Sequence, residues 1–497
     1  MLYALVLIPF VGGLLAFLLP SERPQRAVLV AAATAHLGLV VAGFASLPGP
    51  EMGGWLQLDP LGLIFLSITS VLFLIASIYA VGYLHREVAE ARAPRSDFVE
   101  GVLFSNAPER IFVGCMLMFL AAMTLVTLSQ HMGLLWVAIE ATTLASAPLI
   151  YFHRHHRSLE ATWKYLLLCS VGIAVALLGT FFLAASTAQD GAGVSGSLVL
   201  GDLIRSGGAL QSQWLKAAFL LLLVGYGTKM GLAPLHSWLP DAHSESPSLV
   251  SALMSGALLN VAFLGILRTY QIAVAAGLGS FAQELLVVFG LLSMGVGAVF
   301  IIGQTDYKRM LAYSSVEHMG ILSLGVGIGG AAAFGSIFHA INHSLAKGLL
   351  FLVAGNVLAM YRTTSVRGVK GMVRTLPVSG PLWVVGFLAI TGMPPFGTFF
   401  SEFTILQAGL SQGYTLVSVL YLVFLAVVFI GMSAAMLSMA QGEPWAQPTG
   451  QHKHREAVLA TAPPLILAVA VLVMGLYMPP ALDSVLRAAA AMLGAGR

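Results

Sequence analysis

Carboxylates, amines and imidazoles interrupt the apolar runs of this sequence at a few points. Glu140 stands in Leu-Trp-Val-Ala-Ile-Glu-Ala-Thr-Thr, and Lys229 opens Lys-Met-Gly-Leu-Ala-Pro-Leu-His-Ser-Trp-Leu-Pro240. Glu317 and His318 are adjacent, and His339, His343 and Lys347 follow at i, i+4 and i+8. A charge at bilayer depth costs a few kcal/mol or more, so such groups are kept where they face a bundle interior and find partners. The i, i+4, i+8 spacing draws one stripe along a helix face, with neighbours about 6 Å apart. Three protonatable groups in that register predict a proton wire; the alternative is a satisfied polar contact between helices.

Glu140 and Lys229 are expected to act as a pair. Burial disfavours the charged form of each, whereas an ion pair favours both, so a change in their separation would switch Lys229 between holding and releasing a proton. A static buried salt bridge is the competing reading, but Lys229 sits beside a Gly/Pro interruption that a static bridge does not need. Lys164, four residues after Glu160, has two readings of nearly equal weight: a role within the membrane, or snorkelling to the headgroups with an i, i+4 partner. Glu402 closes Thr391-Gly-Met-Pro-Pro-Phe-Gly-Thr-Phe-Phe-Ser-Glu402 and is expected as an exit-side proton group rather than a solvated helix end.

The elements that must position these groups are membrane helices. Of 497 residues 58% are apolar and 9% charged, where a soluble protein carries about a quarter charged. At roughly 20 residues per crossing this predicts an all-α integral membrane protein of about fourteen spans. They are placed near 2–20, 27–46, 60–83, 111–130, 133–152, 164–187, 214–234, 248–270, 284–302, 310–329, 333–358, 379–400, 413–438 and 457–478. The chain 1–497 reads as a single membrane domain. Spans 7 and 12 are broken by Pro and Gly, which is tolerable at membrane depth only where backbone lines a cavity or packs on protein. The breaks lie five spans apart, so 111–270 (spans 4–8) and 284–440 (spans 9–13) would form two inverted five-helix repeats. Spans 1–3 fill 1–110, and span 14 covers 457–478.

Loops after odd-numbered spans hold 16 of the 24 Lys and Arg, from Arg23 and Arg26 through Arg92 and Arg95 to Lys453 and Arg455, against 5 on the other side, among them Arg497. That bias puts the odd loops in the cytoplasm and both termini on the outer, periplasmic side of a cytoplasmic membrane. The N-terminus lacks a positive n-region, so its first apolar run is expected to remain as a span. A formal charge of +3 with scattered basic residues excludes nucleic-acid binding. Cys115 and Cys169 form no Cys-x-x-Cys pair, so no cluster or disulfide is proposed. His153-Arg-His155-His156-Arg157 looks metal-like, but its arginines repel a cation and suit a cytoplasmic loop. Gly325-Val-Gly-Ile-Gly-Gly330 follows no strand and reads as helix packing and a turn rather than a nucleotide loop.

The chain resembles the antiporter-like membrane subunits shared by respiratory complex I, Mrp-type Na⁺/H⁺ antiporters and group 4 membrane-bound hydrogenases. That family carries a Glu in span 5, a Lys in broken span 7 and a Lys or Glu in broken span 12, matched here by Glu140, Lys229 and Glu402. Ser158-Leu-Glu-Ala-Thr-Trp-Lys-Tyr165, Asp306-Tyr-Lys-Arg-Met-Leu-Ala-Tyr-Ser-Ser-Val-Glu-His-Met-Gly320 and Phe338-His-Ala-Ile-Asn-His-Ser-Leu-Ala-Lys-Gly348 most resemble component F of hydrogenase-4. The resemblance implies a non-catalytic, proton-translocating subunit that conducts along Glu140, Lys164, Lys229, His318, His339, His343, Lys347 and Glu402. Its partners would be protons, the lipid bilayer and other membrane and peripheral subunits. Iron–sulfur clusters, and a NiFe centre where the complex is a hydrogenase, would belong to those partners, with no cofactor in this chain. Where related subunits carry Lys or His in span 8 this chain has Asn260, which cannot hold a proton at neutral pH; water or His236 would then have to carry the link between halves. The absence of a long amphipathic helix after span 14 suggests a proximal or middle position, or a smaller complex. Two alternatives stand beside this: an Mrp-type antiporter subunit, disfavoured because sodium prefers oxygen ligands over a His/Lys stripe, and an idle membrane anchor.

Overall fold

A computed structural model describes residues 1–92, 105–188, 196–443 and 456–494. Arg95, Lys453, Arg455, Arg497 and the side chain of Arg92, all counted in the loop bias, lie outside the described residues.

The chain is a helical bundle. In order it runs through α1 (Leu2–Leu18), α2 (Glu22–Ala45), α3 (Pro60–Arg92), α4 (Glu109–Leu128), α5 (Met132–Ile150), α6 (His156–Ser186), the short α7 (Leu200–Arg205), α8 (Ser212–Met230), α9 (Leu239–Glu245), α10 (Ser248–Leu253) and α11 (Leu259–Ala275). There follow α12 (Gly279–Ile301), α13 (Tyr307–Ile328), α14 (Ala331–Tyr361), α15 (Met372–Thr375), α16 (Ser379–Ile390), α17 (Gly397–Ser411), α18 (Thr415–Ala440), α19 (Val458–Leu476) and α20 (Pro480–Ala491). Among the described residues ten helices are long and apolar enough to cross a membrane; α1 and α16 are apolar but shorter.

The core lies where the apolar character runs all round a helix, as such helices have no face to give to a surrounding phase. The α10–α11 segment, continuous through a π turn at Met254–Leu258, is buried along its whole apolar window. By contrast α18 and α19 bury about a quarter of theirs, at 22% and 28%, and so form part of the outer surface.

Two helices stop in mid-course, and their freed backbone groups are satisfied locally, as burial requires. α8 ends at Gly231 (φ 84°), followed by a cis Ala233–Pro234 bond. There Trp238 Nε1 donates to Thr228 O (2.8 Å), and the Ala233 amide donates to Ser293 Oγ (2.9 Å). α16 ends before Gly392 (φ 65°) and a cis Pro394–Pro395 bond, and the Thr398 hydroxyl donates to Ala389 O.

The two ends of the bundle are distinct. At the basic end a two-stranded ladder, β1 (Ser105–Asn106) and β2 (His153–Arg154), joins the start of α4 to the start of α6. There Arg26 forks onto Glu109 (2.6 and 2.7 Å). His155, from the metal-like stretch, caps α6 in a box with Ser158 instead. At the opposite end Arg268 binds both Asp59 oxygens (2.6 and 2.8 Å), tying the end of α11 to the start of α3. Burial acts to raise the Asp59 pKa, but Arg268, with Gly62 and Gln130, holds the carboxyl below the usual range.

Candidate functional site

Lys229 is wholly buried in the last turn of α8. Its Nζ donates to Tyr165 OH of α6 (2.6 Å) and to Thr143 Oγ1 of α5 (2.9 Å). The Thr143 hydroxyl donates in turn to Glu140 Oε2 (3.2 Å), and Ser170 donates to Glu140 Oε1 (2.9 Å). Glu140 and Lys229 thus stand near each other as expected, bridged by the Thr143 hydroxyl and not in direct ion-pair contact. The reason is local: the i+3 spacing on α5 sets the Thr143 hydroxyl beside the Glu140 carboxylate. Tyr165 OH is also hydrogen-bonded to Ser146 Oγ (2.6 Å), and its ring packs on Trp238.

Lys164 is not part of this cluster. Its side chain is 40% exposed at the basic end, with Nζ 2.5 Å from Asp241 Oδ2 of α9. Arg309 of α13 takes the other Asp241 oxygen at 2.9 Å. Glu160, the partner expected from the i, i+4 spacing, lines the same cavity of about 650 Å³ with Arg157, Glu245 and Asp306. Burial pushes the Glu245 carboxyl up against the pull of Lys308 and Arg157. Its neighbour His155 (3.6 Å) is drawn down by burial and by Arg157.

His236 lies in the break, its ring 6.2 Å from that of Tyr313 and 6.5 Å from that of Phe300. Asn260 makes other contacts, donating to Gly256 O (2.8 Å) and Ser344 Oγ (2.7 Å). The structure does not join His236 to it.

The second cluster is assembled from α13, α14 and α17. His318 Nδ1 and His339 Nε2 share a hydrogen bond of 2.9 Å, and His339 Nδ1 meets Ser401 Oγ at 2.9 Å. The His318 ring packs against both His339 and His343, with centroids 5.1 and 4.9 Å away. Glu317 Oε2 is 3.4 Å from His318 Nε2. Polar atoms of His318, His339 and Glu402 all lie within 4.8 Å of one another. Both nitrogens of His339 are already engaged in hydrogen bonds, so the group reads as a hydrogen-bonded ring set rather than a metal centre. Lys347 completes the stripe, its Nζ donating to Leu311 O (2.7 Å) and to Ser314 Oγ. Two glycines make the room. A Cβ on Gly297 of α12 would lie 2.7 Å from Glu317 Cβ, and one on Gly392 would lie 2.0 Å from Glu402 Oε2.

Residues 129–431 match the family described as "NADH:quinone oxidoreductase/Mrp antiporter, TM". The chain belongs to that family. It is 35% identical over 448 residues to the hydrogenase-4 component F homolog of Methylacidiphilum infernorum, covering 89% of this chain and 90% of that one. It is 29% identical to subunit N of the NADH-quinone oxidoreductase of Desulforudis audaxviator, over 97% and 93% of the two chains. Its fold superposes on a chain of the archaeal membrane-bound sulfane sulfur reductase with a TM-score of 0.85, at 19% identity, covering 99% and 98%. This is therefore a multi-pass, antiporter-like membrane subunit, of a family whose members work in multi-subunit membrane complexes.

Charge and periodicity did not reveal Thr143, Tyr165, Ser170 and Ser401, which are neutral hydroxyls. Nor did they reveal Lys308 and His243, which are buried beside the basic-end cavity. For Thr143 a signal existed in its i+3 spacing from Glu140.

Proposed function

We propose that this chain moves protons across the cytoplasmic membrane as a subunit of a redox-driven complex of the hydrogenase-4 or complex I kind. The observation that carries the reading is the buried row His318–His339–Glu402, with Glu317, His343 and Lys347 beside it and no solvent-exposed member. Neighbouring imidazoles in hydrogen-bond contact can accept a proton on one nitrogen and release one from the other. In the first half Lys229 and Glu140 exchange through Thr143. Lys164 stands at the basic-end cavity as a loading group, and His236 is a side group of the break. Redox centres belong to partner subunits, and electron transfer there would drive the protons here.

The basic end faces the cytoplasm in this reading, with both termini outside. The full count is fourteen spans, spans 4–8 and 9–13 forming the inverted units. The similarity of the two helix breaks, each with a left-handed glycine and an X-Pro bond within three residues of it, supports that plan.

The test is substrate-driven acidification by the purified complex in sealed vesicles, wild type beside Lys229→Ala, with assembly checked in both. The variant is expected to assemble and to translocate fewer protons per electron. Unchanged translocation would overturn the reading in favour of an idle anchor. Sodium extrusion in place of acidification would move the chain to the Mrp-type antiporters.

A further inference from the structure

Asn260 stands on the α10–α11 helix, which packs against α13 and α14 of the second cluster. The residue follows the π turn of the α10–α11 helix, is 1% exposed, and its Nδ2 donates to Gly256 O and Ser344 Oγ. One turn earlier, Ser255 Oγ meets Ser315 Oγ of α13 at 2.8 Å. At these two contacts the α10–α11 helix meets α13 and α14 through amide and hydroxyl groups, which have no ionisable proton of their own at neutral pH. From Lys229 the hydrogen bonds run to Thr143, Glu140, Tyr165 and Ser146, all on α5 and α6.

A different approach to the second cluster starts at the basic end. Glu245, Ser244 and Asp306 line the cavity there. Beneath it Lys308, 1% exposed, donates to Ser244 O (2.8 Å) and Ser246 O (2.6 Å), within reach of the charges on Asp306 and Glu245. His243, wholly buried on α9, stacks on Phe351 with ring centroids 5.2 Å apart. Among the described residues neither of its ring nitrogens has a well-formed hydrogen bond, an uncommon state for a buried polar group, and the backbone partner beside it is that of Ser251. The charges of both Lys308 and Lys347 act on it. Beyond Lys347 lies Glu317, whose charge acts on Lys347 in turn.

We infer that the second half takes its protons from the basic-end cavity through Lys308 and His243 to Lys347, and not from Lys229 across Asn260. His243 accepts a proton on one ring nitrogen from the Lys308 side and releases one from the other toward Lys347, so no net charge stays on it. This rests on the proton-transport reading and adds a separate inlet to it.

The experiment uses the whole complex in sealed vesicles and reads protons moved per electron, with assembly and uncoupled redox turnover as controls. The variants are Lys229→Ala, His243→Gln, their combination, and Asn260→Leu. Independent routes add, so each of the first two is expected to keep about half of the translocation and the double variant almost none. Asn260→Leu, which removes the amide at this helix contact, is expected to keep the wild-type ratio. If Lys229→Ala alone removes as much as the double variant, the halves are in series and the inlet is wrong, while proton transport stands. A wild-type ratio in His243→Gln beside a lowered one in Lys229→Ala also overturns the inlet. If neither variant changes the ratio, the inlet and the proton-transport reading fall together.

Discussion

The Thr143 hydroxyl stands between Lys229 and Glu140, accepting from the ammonium at 2.9 Å and donating to the carboxylate at 3.2 Å. In the proposed path a proton handed from Lys229 to this oxygen would release the hydroxyl's own proton to Glu140, and the two ionisable groups would exchange without touching. Thr143→Val keeps the shape and removes the relay, whereas Thr143→Ser keeps both the hydroxyl and the bridge. Proton translocation should fall in the valine variant on the order of 100-fold, the lower end of what a positioned proton-transfer group contributes. The serine variant should stay near wild type, as read by initial acidification rates in vesicles.

His318 and His339 share one hydrogen bond, and a path that crosses both in sequence has a signature. His318→Gln and His339→Gln should each slow translocation, and the double variant should be no slower than the worse single one. Additive losses, measured as a double-mutant cycle on the same rates, would mean the two imidazoles serve separate routes.

Gly392 holds a left-handed backbone and leaves the space that the Glu402 carboxylate occupies. Gly392→Ala should therefore cost about 1–2 kcal/mol in backbone conformation alone and displace Glu402 from His318 and His339. The expected result is an assembled complex with impaired translocation and a lowered melting temperature. A wild-type rate would show that the position of Glu402 does not matter to the path.

The Asp59–Arg268 pair should set the acid limit of the fold. The folded-state pKa of Asp59 lies below its ordinary value of 3.8. Its contribution is therefore fully present above that value and is lost as pH falls through the lower folded one. Arg268→Leu leaves the carboxylate uncompensated and should destabilise by about 3–5 kcal/mol. Thermal unfolding in detergent should show the loss at neutral pH, and it should shrink as Asp59 protonates.

The apolar runs and their Pro/Gly interruptions were legible because a membrane helix must satisfy its backbone within itself, and Gly231, Pro234, Gly392 and Pro395 stand where α8 and α16 do stop. The stripe of His339, His343 and Lys347 was legible because one helix carries all three at a fixed period. Contacts set by tertiary packing were not. Lys164 finds Asp241 from a helix 77 residues away, a pairing that no local spacing encodes. Thr143 and Tyr165 are silent in any charge count, yet they receive both hydrogen bonds of Lys229. His243 sits between Pro240 and Pro247, a stretch that reads as a connection although it folds as the helix α9.

The central helix spanning Ser248–Ala275 is enclosed by protein along its whole apolar window. It is a membrane segment without a lipid boundary, so the polarity around Asn260 and Ser255 is set by neighbouring side chains alone. Changes in bilayer thickness or acyl-chain order act on outer helices such as α18 and α19, and reach this segment only as mechanical force through the packed helices between.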